Sequence, residues 1–365
     1  MKAQRVLMPV TQRKSWTVVD EQFVVIDAAE RYLAHLAGIE RSPNTVRAYA
    51  HSLALWFDFL RLRQVGWPEA GVEDVSSFVT WLRAPAENVI VIAAAGARRS
   101  ESTVNRHLAA IFGFYDFHAR TGVVLAESLV AWRRVPRGSF KPFLHHVTKG
   151  RPIATRPVKL RAVKRLPATL SVEQVTVLLG ACTRLRDRFL LALLAESGMR
   201  IGQALGLRHE DFLSRCRELR IVPRDDNANG ARAKTKEIVA VPVSVPLVRL
   251  YSEYMHTEYG ELDSDYVFVN LFAEPFGAPL SYDAVAKMVR RLRTKTGIAF
   301  TPHMLRHTRA TELIRAGVPI EIVSRMLTHA SVVTTSRTYI HLEVHDVRVE
   351  LIRAGIWPAE LQEDR

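Results

Sequence analysis

The stretch HVTKGRPIATRPVKLRAVKRLPA, residues 146–168, cuts this sequence in two. Between Lys149 and Arg165 it holds seven Lys or Arg, no Asp or Glu, and the prolines Pro152 and Pro157. Like charges at that density repel one another, and each proline removes a backbone donor, so the stretch is not expected to pack into a core. It reads as an extended basic linker over 146–168. Its Lys149, Arg151, Lys159, Arg161, Lys164 and Arg165 are placed to lie along phosphates. Whatever folds must therefore be built on either side of it, and 365 residues suffice for two separate cores.

On the N-terminal side, residues 1–22 read as a tail with some strand character. A helical domain is expected over 23–145. In RSPNTVRAYAHSLALWFDFLRLR, Ser42 can cap and Pro43 occupies the first helical position, where its missing N–H costs nothing. Val46, Tyr49, Leu53, Trp56, Phe57 and Leu60 then recur at helical spacing. Further helices are expected in VEDVSSFVTWLRA and in SESTVNRHLAAIFGFYDFHART. Arg47, His51, Arg106 and His107 are expected on solvated helix faces, the natural places for contacts to DNA.

On the C-terminal side a second domain is expected over 169–345. Ser171 and Gln174 stand at capping-box spacing. RDRFLLALLAESGMRIGQALGL reads as two buried helices meeting at Gly198. ELRIVPRDD and EIVAVPV read as strands of a hairpin joined by NANGARAKTK. From Ser281 onward the pattern is helical again. The fold class is thus mainly α with a small antiparallel β-sheet in the C-terminal domain, followed by a tail at 346–365.

Charge narrows the function. Lys plus Arg exceed Asp plus Glu by 14, which favours a polyanionic partner. The longest apolar run, Val89 to Ala97, is about half of what a membrane helix needs. The first residues contain no apolar signal region. Cys182 and Cys216 form no C-x-x-C pair or disulfide framework, as fits a reducing cytosol. No Gly-rich phosphate loop and no H-E-x-x-H is present.

One segment admits two chemistries. In PHMLRHTRAT, His303 and His307 stand at i and i+4, as metal ligands on a helix do. A zinc site needs a third ligand, however, and the intervening Arg306 disfavours a divalent cation. His303 and Arg306, at i and i+3, can instead reach one phosphate, where the guanidinium offers a planar fork of donors. His307 is offset and is expected to pack in support. No metal and no cofactor is expected.

The segment from Pro302 to Leu342, PHMLRHTRATELIRAGVPIEIVSRMLTHASVVTTSRTYIHL, resembles the C-terminal signature of the tyrosine recombinases, or phage integrases. His303, Arg306, His329 and Tyr339 match its pattern. ESGMRIGQALGLRHEDF resembles the first arginine box of that family through Arg200, and KTKEIVAVP resembles its lysine hairpin through Lys234. RSPNTVRAYAHSLALWFDFL and STVNRHLAAIFGFYDF are similar to its DNA-gripping helical domain. The resemblance covers about 25 to 345 in five ordered boxes, and the length and the TYIHL ending are similar to the transposon-encoded transposase A branch. Three departures stand out. Gln203 replaces a carboxylate three residues after Arg200, Thr328 replaces the glycine before His329, and Tyr339 stands ten positions after His329 where nine is usual.

The resemblance implies a two-domain clamp on double-stranded DNA, with 23–145 as a SAM-like core-binding domain and 169–345 as the catalytic domain. It implies a site-specific recombinase acting through a 3′-phosphotyrosine on Tyr339, with Arg200, Lys234, His303, Arg306 and His329 around the phosphate. It also implies a tetramer on DNA, accessory recombination proteins and a bacterial cytoplasmic location at the nucleoid. Separately, Val344, Val347, Leu351 and Ile352 recur at near-helical spacing, so the tail at 346–365 is expected to dock on a neighbouring protomer. Two rivals stand beside the recombinase: a type IB topoisomerase, which uses a similar residue set to relax one duplex, and a catalytically silent DNA-binding regulator on the same scaffold.

Overall fold

A computed structural model of the chain describes residues 1–8, 14–84, 98–127, 129, 131–133, 153–155, 157–162, 167–233, 235 and 237–328. The chain divides into two compact units, Met1–Lys164 and Arg165–Arg365.

The first unit begins with a hairpin, not a tail. β1 (Lys2–Leu7) pairs antiparallel with β2 (Lys14–Val19), with Arg5 opposite Trp16. Val18 is fully buried and joins the helical core, so apolar burial fastens the hairpin to the helices. Next comes α1 (Asp27–Gly38), which has no capping side chain at Ile26 and thus lacks the usual start signal. α2 (Pro43–Arg63) starts as expected: the Ser42 hydroxyl accepts from the Thr45 N–H at 3.2 Å. α3 (Val72–Arg83) and α4 (Glu101–Arg120) complete the bundle. In the core, the Trp56 indole donates to the Tyr115 hydroxyl at 3.1 Å, and that hydroxyl donates to the Trp67 carbonyl at 2.8 Å.

Two expectations fail here. His107 is 7% exposed, not solvated. It shares the inward stripe of α4 with Val104, Leu108 and Ile111, and its Nδ1 lies 2.9 Å from the Ser52 hydroxyl. Burial, with the cations Arg99 and Arg106, pushes its pKa down to about 4, so the ring is neutral near pH 7. Arg47, His51 and Arg106 are exposed. The expected linker also packs in part. β3 (Ala131–Arg133) pairs antiparallel with β4 (Ile153–Thr155). Beyond β4, Val158 and Leu160 pack against the helical core, while Lys159 and Arg161 are exposed. This is strand-like alternation, which lets a charged segment bury every second side chain. The Asn105 amide fixes it reciprocally: Nδ2 donates to the Leu160 carbonyl and Oδ1 accepts the Leu160 N–H, both at 2.9 Å.

The second unit surrounds one helix that is buried along most of its length. α5 (Val172–Ala181) begins with the Ser171–Gln174 capping box. α6 (Leu185–Ser197) buries Phe189, Leu190, Leu191, Leu193 and Leu194. Its first N–H groups, from Leu185 and Arg186, donate to the Glu258 carboxylate at 2.8 and 2.9 Å, a favourable charge for a helix N-terminus. After the short α7 (Ile201–Leu205), β5 (Phe212–Leu213), β6 (Glu218–Ile221) and β7 (Val239–Pro242) form an antiparallel sheet in that order. Then follow α8 (Val245–Tyr254), α9 (Tyr282–Thr296), α10 (Pro302–Arg315) and α11 (Ile320–Met326). Tyr254 and Tyr259 are buried, and both hydroxyls donate to backbone carbonyls. The Thr308 hydroxyl accepts the Leu170 N–H at 2.8 Å, which ties the start of the unit to α10. No described helix is long and apolar enough to cross a membrane. The run Val89 to Ala97 lies outside the described residues.

Candidate active site

The site is organised by two turns. α6 stops at Gly198, whose φ of +64° suits a residue without a Cβ. The chain re-enters a helix after Arg200. This short turn presents the Gly198 carbonyl and the Arg200 side chain together. The second turn follows α11 at Leu327 and Thr328.

Arg306 joins the two turns. It lies on the inward face of α10, whose N-terminus is capped by the Thr301 hydroxyl. Its side chain is 1% exposed. Nη1 donates to the Gly198 carbonyl at 2.8 Å, and Nη2 donates to the Leu327 carbonyl. A buried guanidinium is tolerated only when its donors are satisfied, so these bonds also fix its direction.

Arg200 reaches the next residue of the same turn. Its Nη1 donates to the Thr328 carbonyl at 3.2 Å and to the Thr328 hydroxyl at 3.0 Å. Its backbone N–H donates to Gln203 Oε1 at 2.7 Å, and Gln203 Nε2 donates to the Thr328 hydroxyl at 2.8 Å. Two permanent cations are therefore anchored on consecutive residues, 327 and 328. The sequence flags Gln203 and Thr328 only as departures from a pattern. The capping-box spacing of Arg200 and Gln203 is the one local sign of their contact.

The histidines differ in access. His303 is exposed, unlike Arg306 one helical turn later. Its ring centroid lies 4.3 Å from that of His307, at 71°. Burial, with His303 and Arg306 beside it, pushes the His307 pKa down to about 4. Among the described residues, no three His, Cys, Asp or Glu gather as metal ligands would. His329 follows Thr328 directly in the chain, but His329, Tyr339 and Lys234 lie outside the described residues, as do Lys149, Arg151, Lys164, Arg165 and the 346–365 tail.

In the first unit, Trp16 of β2 covers part of the basic face of α2. The Arg47 guanidinium lies 5.2 Å from its ring centroid and the His51 ring 5.4 Å away. Burial, and secondarily Arg47, lowers the His51 pKa. Arg106, Lys159 and Arg161 add exposed positive charge to this unit.

Comparison with known proteins gives this geometry its context. Residues 168–345 match the phage integrase family, and residues 29–122 match the phage integrase N-terminal SAM-like domain. The chain is 38% identical over 352 residues to transposase A from transposon Tn554 of Staphylococcus aureus, covering 96% of this chain and 97% of that protein. It is 28% identical over 322 residues to the tyrosine recombinase XerC of Rhodospirillum centenum, covering 85% and 82% of the two. Among solved structures, the Tn1549 transposon integrase in complex with transposon right end DNA has a similar fold, with a TM-score of 0.62 at 15% identity over 90% of this chain and 99% of that one. A lambda integrase dimer bound to a core site has a TM-score of 0.57 at 13% identity, over 86% and 94% of the two.

Proposed function

The chain belongs to the phage integrase family of tyrosine recombinases, and from that premise we propose how its site breaks and rejoins DNA. It is a DNA strand transferase, a site-specific recombinase of a mobile element. In our reading the Tyr339 oxygen attacks a backbone phosphorus. The phosphorus–O5′ bond breaks, leaving a 3′-phosphotyrosine and a 5′-hydroxyl. Arg200 and Arg306 stabilise the charge that grows on the non-bridging oxygens. His303 and His329 hydrogen-bond the phosphate and relay the tyrosine proton, and Lys234 protonates the leaving oxygen. The phosphotyrosine link retains the energy of the diester, so attack by a partner strand's 5′-hydroxyl rejoins DNA without ATP.

The observation that supports this reading best is the anchoring of Arg200 and Arg306 on residues 327 and 328, immediately before His329. Two fixed cations beside a histidine position suit a pentavalent phosphate, whose charge is spread over several oxygens. Both units engage double-stranded DNA: 23–145 as the core-binding domain and 169–345 as the catalytic domain. Four protomers act on two duplexes in the bacterial cytoplasm, with accessory recombination proteins and with 346–365 docking on a neighbouring protomer.

The test uses a supercoiled plasmid carrying both ends of the element that encodes the chain. Recombined products that require both ends are expected. Relaxation of a plasmid lacking the ends, without recombinants, would instead make the chain a topoisomerase-like enzyme.

A further inference from the structure

We infer that Gln203 and Thr328 act as one neutral positioning pair for Arg200. This rests on the reading of Arg200 as the cation that meets the scissile phosphate. The two residues at which the chain departs from its family's pattern touch each other. Gln203 Nε2 donates to Thr328 Oγ1 at 2.8 Å, and the same oxygen accepts from Arg200 Nη1 at 3.0 Å. Gln203 Oε1 accepts the Arg200 backbone N–H at 2.7 Å. The ring is closed: Arg200 main chain to Gln203, Gln203 to Thr328, Thr328 to the Arg200 guanidinium. Donor chemistry fixes its sense, because an amide nitrogen and a guanidinium only donate, so both lone pairs of the Thr328 hydroxyl are taken. Gln203 and Thr328 are 4% and 7% exposed, so water does not readily substitute for either partner.

The backbone supplies an independent sign. Thr328 has a φ of +51°, a left-handed conformation that glycine adopts freely and a β-branched residue adopts at a cost. Such strain persists where surrounding contacts hold it, and functional sites are where it collects. A glycine would fit the turn better yet would leave Arg200 and Gln203 without a shared acceptor. The chemical consequence is specific. A carboxylate at 203 would bring a negative charge next to the first arginine. The glutamine and the hydroxyl are both neutral, so neither sets a negative charge beside the guanidinium and neither titrates.

The experiment is single-turnover cleavage of a nicked suicide substrate by the full chain, with DNA affinity and thermal unfolding measured in parallel. Thr328→Val keeps the branching and removes the hydroxyl that Arg200 and Gln203 share, while Arg200 keeps the main-chain carbonyl at 3.2 Å. It is expected to slow cleavage roughly 10- to 100-fold, the effect of losing one hydrogen bond to a charged group, with DNA affinity changed less than about twofold. Thr328→Ser restores the hydroxyl and should restore the rate. Thr328→Gly should unfold at the wild-type temperature or above yet cleave slowly, which separates positioning from stability. Gln203→Ala combined with Thr328→Val should be no slower than the worse single variant, because both serve one guanidinium. Wild-type cleavage by Thr328→Val, or losses that multiply in the double variant, would overturn the pair while Arg200→Ala remains inactive. Wild-type cleavage by Arg200→Ala would instead remove the reading on which the pair rests.

Discussion

Arg306→Lys keeps the charge at the most buried of the described cations of the site and removes its fork. The guanidinium spans two segments at once, with one nitrogen on the Gly198 carbonyl and the other on the Leu327 carbonyl. A single Nζ cannot reproduce both bonds with the same geometry, so one carbonyl loses a charged donor. Such a bond contributes about 1.5–3 kcal/mol. At about 2–4 °C per kcal/mol for a unit of this size, the melting temperature should fall by about 3–12 °C. The chemical step should suffer more: loss of one preorganised donor to a developing oxyanion costs roughly 100- to 1000-fold in rate. Arg306 is 1% exposed, so it adds little to the surface that binds duplex, and affinity should change little. The assay is burst cleavage of a suicide substrate at a temperature where both proteins are folded, beside a DNA titration. Cleavage at the wild-type rate, or a loss of affinity that accounts for all of the lost cleavage, would refute the assignment.

Three further outcomes are expected. His107 has a folded pKa of about 4, against about 6.5 in an unfolded chain. The unfolded chain therefore takes up the proton first as pH falls. The stability held by neutral His107 is complete above about pH 6.5 and is lost progressively towards pH 4. His107→Gln should flatten that dependence in urea titrations, and an unchanged slope would contradict the burial argument. Gly198→Ala should lower the melting temperature: the residue has φ +64°, and an added Cβ would lie 2.7 Å from a Leu327 methyl group. The left-handed backbone alone costs about 1 kcal/mol or more, and a melting temperature within 1 °C of wild type would contradict it. Deletion of 349–365 should weaken assembly of the synaptic complex on native gels and leave binding to a single site intact; unchanged recombination would show that the segment has no intermolecular role.

Much of the helical framework is legible because its signals are local. Ser42 with Pro43 and Ser171 with Gln174 mark helix starts by side-chain chemistry that needs no tertiary context. The hairpin at 2–19 and α1 carry weaker local signals. The hairpin is fastened by packing against distant helices, and α1 lacks a capping side chain. At His107 position outweighs polarity: its i+3 and i+4 relations to Val104 and Ile111 place it on the apolar stripe. In the basic stretch, net charge masks a two-residue alternation in which Val158 and Leu160 turn inward. At the site, residue types and order point to Arg200 and Arg306 through resemblance. That both would be held by residues 327 and 328 depends on how α6, α10 and α11 meet, which spacing along the chain does not encode.

The covalent link between Tyr339 and DNA is the decisive observable. The full chain should be incubated with a nicked suicide substrate, digested, and the DNA-bound peptide sequenced by mass spectrometry. A 3′-phosphate ester on Tyr339, absent from Tyr339→Phe while that variant still binds the duplex, is the expected result. An adduct on another residue, an adduct that survives Tyr339→Phe, or no adduct with cognate DNA would contradict it.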